Sequence, residues 1–122
     1  MEQALRIMVL DDEPIVGKRL KPALEKHGHE VEVFENPTEA LARLESKEFD
    51  IVVTDVRMDE VDGIKVLEHV MARSDRTKVI IITGYATVET ARDAMKGGAV
   101  DFIAKPFKIS QLRDLIISVT KD

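Results

Sequence analysis

Apolar residues in this chain gather into five short runs, separated by longer segments in which apolar residues recur every three or four positions. The runs are rich in β-branched residues, and Ile51-Val52-Val53 has no polar face, which is typical of a strand buried on both sides of a parallel sheet. The second run alternates weakly and is expected near an edge, whereas Val79-Ile80-Ile81-Ile82 is the most hydrophobic and is expected to be central. The predicted strands therefore cover residues 7–10, 31–34, 51–53, 79–82 and 100–104.

The segments between the runs carry the signals of helices. Pro14 suits the first turn of a helix with Asp12 as its cap, and Asn36-Pro37 opens a second helix in the same manner. The fourth helix is expected to carry Val88, Ala91, Ala94 and Met95 on its apolar side. Because strands and helices alternate, right-handed crossovers produce a parallel sheet with helices on both faces. The chain is predicted to be one α/β domain over residues 1–122.

Composition narrows the classes of function. The 122 residues are 44% hydrophobic and 34% charged, which is ordinary for a globular protein. Cysteine is absent, which excludes disulfides, thiolate metal sites and thiol catalysis. The net charge of −5 argues against direct nucleic-acid binding by this domain, and no apolar run is long enough to cross a bilayer. With no signal-like N-terminus, a cytoplasmic location is expected.

Polar side chains follow the predicted strands at the points where the strands end. Asp11 and Asp12 follow the first strand and Asp55 the third, while Thr83 and Lys105 follow the fourth and fifth. The carboxyl ends of parallel strands share one edge of a sheet, so these side chains are expected to converge. Carboxylates this close need a compensating cation, and oxygen ligands suit Mg²⁺ rather than zinc. A hydroxyl and an ammonium opposite them fit phosphoryl transfer to an Asp nucleophile.

Over essentially its whole length, this chain resembles the receiver domain of two-component response regulators. The resemblance rests on four motifs that stand in order at strand ends: Leu10-Asp11-Asp12-Glu13, Thr54-Asp55-Val56-Arg57-Met58 with Asp62-Gly63 following, Thr83-Gly84, and Lys105-Pro106-Phe107. It implies a flavodoxin-like, doubly wound fold with strand order 2-1-3-4-5. The segment from Thr83 to Phe102 is most similar to receivers attached to sigma-54 activators or to the nitrogen-fixation type of regulator, which implies a role in transcription regulation.

The resemblance implies roles for the acidic residues. Asp55 is the implied phosphoacceptor, taking a phosphoryl group from a phosphohistidine of a sensor histidine kinase. Asp12 is implied as a direct ligand of Mg²⁺ and Asp11 as a ligand mainly through water. The backbone carbonyl of Arg57 is implied as a further ligand.

It also implies a switch and contact surfaces. Thr83 and Lys105 would contact the phosphoryl group, the bond between Lys105 and Pro106 would be cis, and Phe102 would turn inward after phosphorylation. An output domain, a partner or a second copy would then read the face made by the fourth helix, the fifth strand and the fifth helix. A permanently buried, non-switching Phe102 stays open as an alternative. The surface expected to dock the kinase is an apolar patch of Ile15, Pro106 and Phe107.

Two features depart from a complete regulator. Asp59 stands where family members usually have proline, which leaves the conformation of the loop after Asp55 open. The chain ends soon after the fifth predicted helix, so either a stand-alone receiver or the receiver part of a longer protein is expected. The three histidines, His27, His29 and His69, have no spacing for a metal site and are expected at the surface.

Other functions fit the residues less well. A Mg²⁺-dependent phosphohydrolase of the haloacid dehalogenase type needs an acidic residue two positions after its nucleophile, where this chain has Arg57. A flavin-binding module of similar topology is disfavoured because Asp11-Asp12-Glu13 would repel the flavin phosphate. A scaffold that is never phosphorylated is disfavoured because the whole acidic set is present.

Overall fold

Five strands and five helices alternate along the chain in the computed structural model, which describes residues 4–56, 63–84 and 87–120. All strand pairs are parallel and their order is β2-β1-β3-β4-β5, which confirms the predicted fold. No helix in the described ranges is long and apolar enough to cross a membrane. The elements are β1 (Arg6–Leu10), α1 (Pro14–Glu25), β2 (Glu30–Phe34), α2 (Pro37–Ser46), β3 (Ile51–Asp55), α3 (Gly63–Arg73), β4 (Lys78–Thr83), α4 (Val88–Lys96), β5 (Asp101–Ala104) and α5 (Ile109–Thr120).

The positions of the strands in the sheet follow their hydrophobicity. β2 lies at an edge, as its weak alternation predicts. β3 is the middle strand and all five of its residues are buried. β4 has a partner strand on both sides and so lies inside the sheet, second from the edge, as the predicted strand order requires. Its apolar run reflects two covered faces, which every interior strand of such a sheet has.

Two hydrophobic cores lie on opposite faces of the sheet, because successive residues of a strand point to opposite sides. Ile51 and Val53 face one core and Val52 faces the other. The first core, the α1–α5 face, also contains buried leucine and isoleucine side chains of α1 and α5. The second core, the α2–α4 face, is closed by buried residues of α2, α3 and α4. Burial on both faces explains why the interior strands have no polar stripe.

The first two helices begin at proline, but they are capped differently. Asn36 caps α2 as predicted, with its Oδ1 accepting hydrogen bonds from the backbone N–H groups of Thr38 and Glu39 at 2.7 and 3.3 Å. The N-cap of α1 is Glu13 rather than Asp12, and its side chain makes no capping hydrogen bond. Asp11 instead stabilises the turn before the helix, because its Oδ1 accepts a hydrogen bond from the N–H of Glu13 at 2.9 Å.

Two further expectations from the sequence were wrong. Val88 and Met95 of α4 are 76% and 49% exposed, and Ala94 is the buried residue of this helix. His29 is buried, and its Nδ1 accepts a hydrogen bond from the backbone N–H of Leu5 at 3.2 Å. A polar ring can be buried here because a backbone donor satisfies it.

A cluster of charges ties the edge strand β2 to α2. Arg43 donates two hydrogen bonds to the carboxylate of Glu32, at 2.8 and 3.1 Å. Lys47 Nζ bridges Glu32 at 2.9 Å and Glu30 at 2.7 Å. The Arg43 hydrogen bond, assisted by Lys47, lowers the pKa of Glu32 from its usual 4.5 to about 2.

Replacement of Glu32 by glutamine is expected to destabilise the fold in a pH-dependent way. Since the pKa of Glu32 is lowered by folding, its ionised form stabilises the fold above about pH 4.5, and this contribution is lost as the pH falls toward 2. Glu32→Gln should therefore lower the free energy of unfolding at pH 7 by about 1–2 kcal/mol after allowance for solvent screening. Urea unfolding at several pH values measures this difference, which should narrow below pH 4.5.

The control is Glu68→Gln, which neutralises an exposed carboxylate on α3. It should leave stability within about 0.5 kcal/mol of the wild type. A Glu32→Gln effect that stays constant from pH 7 to pH 3 would show that packing, rather than charge, links β2 to α2.

Candidate functional site

Register within the sheet brings four strand ends to one edge. Leu10 pairs with Thr54, so Asp11 and Asp55 follow at neighbouring positions. Asp55 pairs with Ile82, immediately before Thr83. Thr83 in turn pairs with Ala104, immediately before Lys105. The structure therefore places at one edge the side chains that the sequence predicts to converge there.

Three carboxylates form the centre of the candidate site. One oxygen from each of Asp11, Asp12 and Asp55 lies within 4.8 Å of the other two. Asp11 and Asp55 are buried, whereas Asp12 is exposed. Two buried negative charges so close together repel each other strongly unless a cation balances them.

Lys105 supplies the cation in this structure. Its Nζ donates hydrogen bonds to Asp55 Oδ2 at 2.8 Å and to Glu13 Oε1 at 2.7 Å. It also lies 2.7 Å from Asp11 Oδ2, as an ion pair without directed hydrogen-bond geometry. The backbone of the lysine is tied to β4, because its N–H donates to the carbonyl of Thr83 at 2.8 Å. The peptide bond between Lys105 and Pro106 is cis.

One ammonium group does not fully compensate these carboxylates. Burial raises the pKa of Asp11 above its usual value, although Lys105 acts to lower it. Burial alone would lower the pKa of Lys105, but its contacts with Asp11, Asp55 and Glu13 outweigh that effect and raise it. The lysine is thus firmly charged, while ionisation of the buried Asp11 is unfavourable.

A hard divalent cation would balance the remaining negative charge of these carboxylates. Asp11 Oδ2 is a buried oxygen that makes no directed hydrogen bond among the described residues. The group offers carboxylate oxygens without imidazole or thiolate, which is the ligand chemistry that Mg²⁺ prefers. Asp11, Asp12 and Asp55 are therefore the residues that would hold the ion. Arg57, the further ligand implied by the resemblance, and Asp59 lie outside the described residues.

The two residues expected to respond to a phosphoryl group lie beside the carboxylates. Thr83 is fully buried at the end of β4, next to the strand that carries Asp55. Phe102 on β5 is half-buried and packs against the core of the α2–α4 face. A ring that is neither fully buried nor fully exposed is compatible with both the switching and the static interpretation.

The residues expected to dock the kinase surround one groove. Ile15 is 58% exposed at the start of α1, and Pro106 and Phe107 follow the site lysine. The groove has a volume of about 430 Å³ and opens beside Lys105. Its apolar walls include Ile15, Val16, Leu20, Pro106, Phe107 and Ile109.

Gly63 closes the loop that follows Asp55. Its backbone N–H donates to the carbonyl of Val56 at 2.8 Å. A Cβ at this position would overlap the carbonyl oxygen of Asp55, so the close approach requires glycine. This contact gives a physical reason for the glycine of the Asp62-Gly63 pair in the motif.

Glu13 is the residue of the site that sequence reasoning missed. The sequence presents it only as the third acidic residue of Asp11-Asp12-Glu13, and such a residue is usually solvated. Its contact with Lys105, which lies 92 positions further along the chain, depends on the pairing of β1, β3, β4 and β5 and has no local signal.

Comparison with known proteins gives a consistent assignment. Residues 7–117 match the family model described as the response regulator receiver domain. The regulatory protein AtoC of Escherichia coli (strain K12) is 39% identical over 111 residues, which are 91% of this chain and 24% of AtoC. The chain spans about a quarter of the length of AtoC and about half the length of the acid tolerance regulatory protein ActR of Rhizobium meliloti (strain 1021), which is 35% identical over 100 residues.

Solved structures agree with this assignment. The solution structure of the beryllofluoride-activated NtrC4 receiver domain dimer has a TM-score of 0.86 and 32% identity, over 93% of each chain. A response regulator from Burkholderia pseudomallei, crystallised with a phosphorylated aspartic acid, a calcium ion and citrate, has a TM-score of 0.83 and 26% identity. That likeness covers 88% of this chain and 64% of the other.

The burial of Asp11 generates a prediction about stability. Its raised pKa means that ionisation of Asp11 opposes folding at neutral pH, so Asp11→Asn should stabilise the protein in the absence of divalent cations. A rise of about 1 kcal/mol in the free energy of unfolding is expected. Mg²⁺ should in turn stabilise the wild type more than this variant, because the variant loses a ligand. Urea unfolding in EDTA and in excess Mg²⁺ measures both effects.

Asp114→Asn, at an exposed position on α5, controls for the loss of one negative charge. It should change neither the stability nor the response to Mg²⁺. A less stable Asp11→Asn in EDTA would mean that the ion pair with Lys105 contributes more than burial costs.

Proposed function

The chain belongs to the response regulator receiver family, and we propose that it is a phosphorylation-dependent signalling switch with Asp55 as its phosphoacceptor. The observation that carries the proposal is the position of Asp55. Its carboxylate ends the middle strand, with an oxygen 2.8 Å from Lys105 Nζ and two further carboxylates within reach of a shared cation. Residues 1–122 are taken as one receiver domain.

In the proposed reaction an oxygen of the Asp55 carboxylate attacks the phosphorus of a phosphohistidine on a sensor kinase. A new O–P bond forms an acyl phosphate, the P–N bond breaks, and the imidazole leaves with the bonding electron pair. Lys105 holds its ammonium where negative charge builds on the phosphoryl oxygens. Mg²⁺ held by Asp11, Asp12, Asp55 and the carbonyl of Arg57 would supply further positive charge for those oxygens.

The phosphorylated state is proposed to rearrange the end of β4. A phosphoryl group on Asp55 adds acceptor oxygens, and the nearest candidate donors are Lys105 and the hydroxyl of Thr83. Movement of Thr83 toward Asp55 would open space beside β5, into which Phe102 turns. Gly84 follows Thr83 directly, and a Cβ placed on it would meet no described atom within 4 Å, which leaves room for this shift.

The signal is proposed to leave through α4, β5 and α5. Val88 and Met95 make α4 an exposed apolar surface, which suits contact with an output domain or with a second copy of the chain. The similar NtrC4 receiver domain is a dimer in its beryllofluoride-activated form. A role as the receiver of a sigma-54 activator, acting in the cytoplasm without direct nucleic-acid or membrane contact, is consistent with the resemblance. Family membership favours this switch over a hydrolase or a flavin-binding module.

The first test is phosphorylation by a small acyl phosphate. Incubation with acetyl phosphate and Mg²⁺ should add one phosphoryl group that is labile to base, because an acyl phosphate hydrolyses readily. Intact-mass measurement should detect this adduct in the wild type and not after removal of Mg²⁺ by EDTA.

Asp55→Asn is the matched variant, since it keeps the shape of the acceptor and removes its nucleophilic oxygen. It should gain no mass. An adduct of equal yield in Asp55→Asn would place the acceptor elsewhere, and rapid release of phosphate without an adduct would favour a hydrolase.

The groove beside Lys105 generates a prediction about the kinase. Ile15→Glu puts a charge on the apolar rim, and it should slow phosphotransfer from a phosphorylated histidine kinase by about tenfold relative to phosphorylation by acetyl phosphate. Radiolabel transfer and intact mass measure the two rates. Val88→Glu, an equal change at an exposed apolar residue of α4, should not slow transfer. If Ile15→Glu slows phosphorylation by the kinase and by acetyl phosphate equally, the groove does not dock the kinase.

A further inference from the structure

We propose that Glu13 is a positioning residue that keeps the Lys105 ammonium at the site while Asp11 and Asp55 turn to a metal ion. The proposal rests on the function proposed above and assigns a role to a residue that does not itself ligate the metal. Glu13 is not among the three carboxylates whose oxygens lie together, so its own carboxylate stays available to Lys105 when those three hold an ion.

The contacts of Lys105 show why such a residue is needed. Its Nζ touches oxygens of Asp11 and Asp55 at 2.7 and 2.8 Å, and these are two of the three carboxylates that would hold the ion. The ammonium and a cation would therefore compete for these carboxylates, because both neutralise the same negative charges. With its side chain only 15% exposed, the lysine has little access to water as a substitute partner. Glu13, 2.7 Å away and 60% exposed, is the contacting carboxylate that lies outside the metal group.

The local structure of Glu13 supports a role outside its own helix. It occupies the N-cap of α1, where a short polar side chain normally accepts a hydrogen bond from the first turn. Its carboxylate makes no such bond and contacts Lys105 instead. The backbone N–H of Glu13 is held by Asp11, whose Oδ1 accepts it. An ion pair this exposed adds little to stability, so its effect is expected in ion binding rather than in folding.

Lys105 and the metal ion therefore compete for Asp11 and Asp55, and Glu13 reduces this competition by offering Lys105 another carboxylate. Without its carboxylate, Lys105 keeps Asp11 and Asp55 as its partners and holds their oxygens more tightly. Glu13→Gln should therefore weaken Mg²⁺ binding through Lys105, and the effect should disappear when Lys105 is replaced. A double-mutant cycle separates this route from the loss of one nearby negative charge, which weakens Mg²⁺ binding with or without the lysine.

Mg²⁺ titration calorimetry on wild type, Glu13→Gln, Lys105→Gln and the double variant is the test. Glu13→Gln should weaken Mg²⁺ binding by about tenfold in the wild-type background and by less than about twofold in the Lys105→Gln background. Lys105→Gln alone should bind Mg²⁺ more tightly than the wild type. Urea unfolding in EDTA should show nearly equal stability for wild type and Glu13→Gln.

Glu35→Gln is the matched control, because Glu35 is an exposed glutamate just after β2 at the same edge of the sheet. It should leave the dissociation constant of Mg²⁺ unchanged. Equal weakening by Glu13→Gln in both backgrounds would overturn the role of Glu13 and leave the proposed metal centre intact. A wild type that binds no Mg²⁺ would overturn that centre, and with it this inference.

Discussion

The crowding of carboxylates around a single ammonium is the constraint on which the rest of this site depends. A parallel sheet brings the carboxyl ends of its strands to one edge. Strand pairing alone therefore brings the acidic residues at the ends of β1 and β3 together, and no special loop conformation is needed. Lys105 reduces their repulsion but leaves Asp11 with a raised pKa. The fold thus accepts a local cost in stability, and binding of a cation would relieve that cost.

The same edge is built so that a change at Asp55 reaches two strands at once. The backbone N–H of Lys105 donates to the carbonyl of Thr83, which ties the end of β4 to the start of the loop after β5. Gly63 lies directly against the carbonyl of Asp55 on the other side. A new anion on Asp55 therefore acts on a small set of backbone contacts rather than on isolated side chains.

Most of the fold could be predicted from the sequence because the interior strands are covered on both faces. Runs such as Ile51-Val52-Val53 have few other interpretations, and the polar residues that follow them lie on the common edge as predicted. The predictions that were wrong concern positions where several nearby groups could form the same contact. Glu13 rather than Asp12 occupies the N-cap of α1, and a backbone donor allows His29 to be buried. Glu13 contacts a lysine 92 positions away, and no local pattern carries that information.

The error at α4 has a physical reason that bears on function. Apolar spacing predicts a buried stripe, but β5 is a short edge strand and α4 has only nine residues, so the helix covers little of the sheet. Ala94 is its buried residue, and its start is secured by reciprocal hydrogen bonds between Thr87 and Thr90. A helix held mainly by its cap costs less to displace than one with several buried side chains, as α3 has. Because only four residues separate Thr83 from the start of α4 in the sequence, a helix with a single buried residue comes soon after the residue proposed to move.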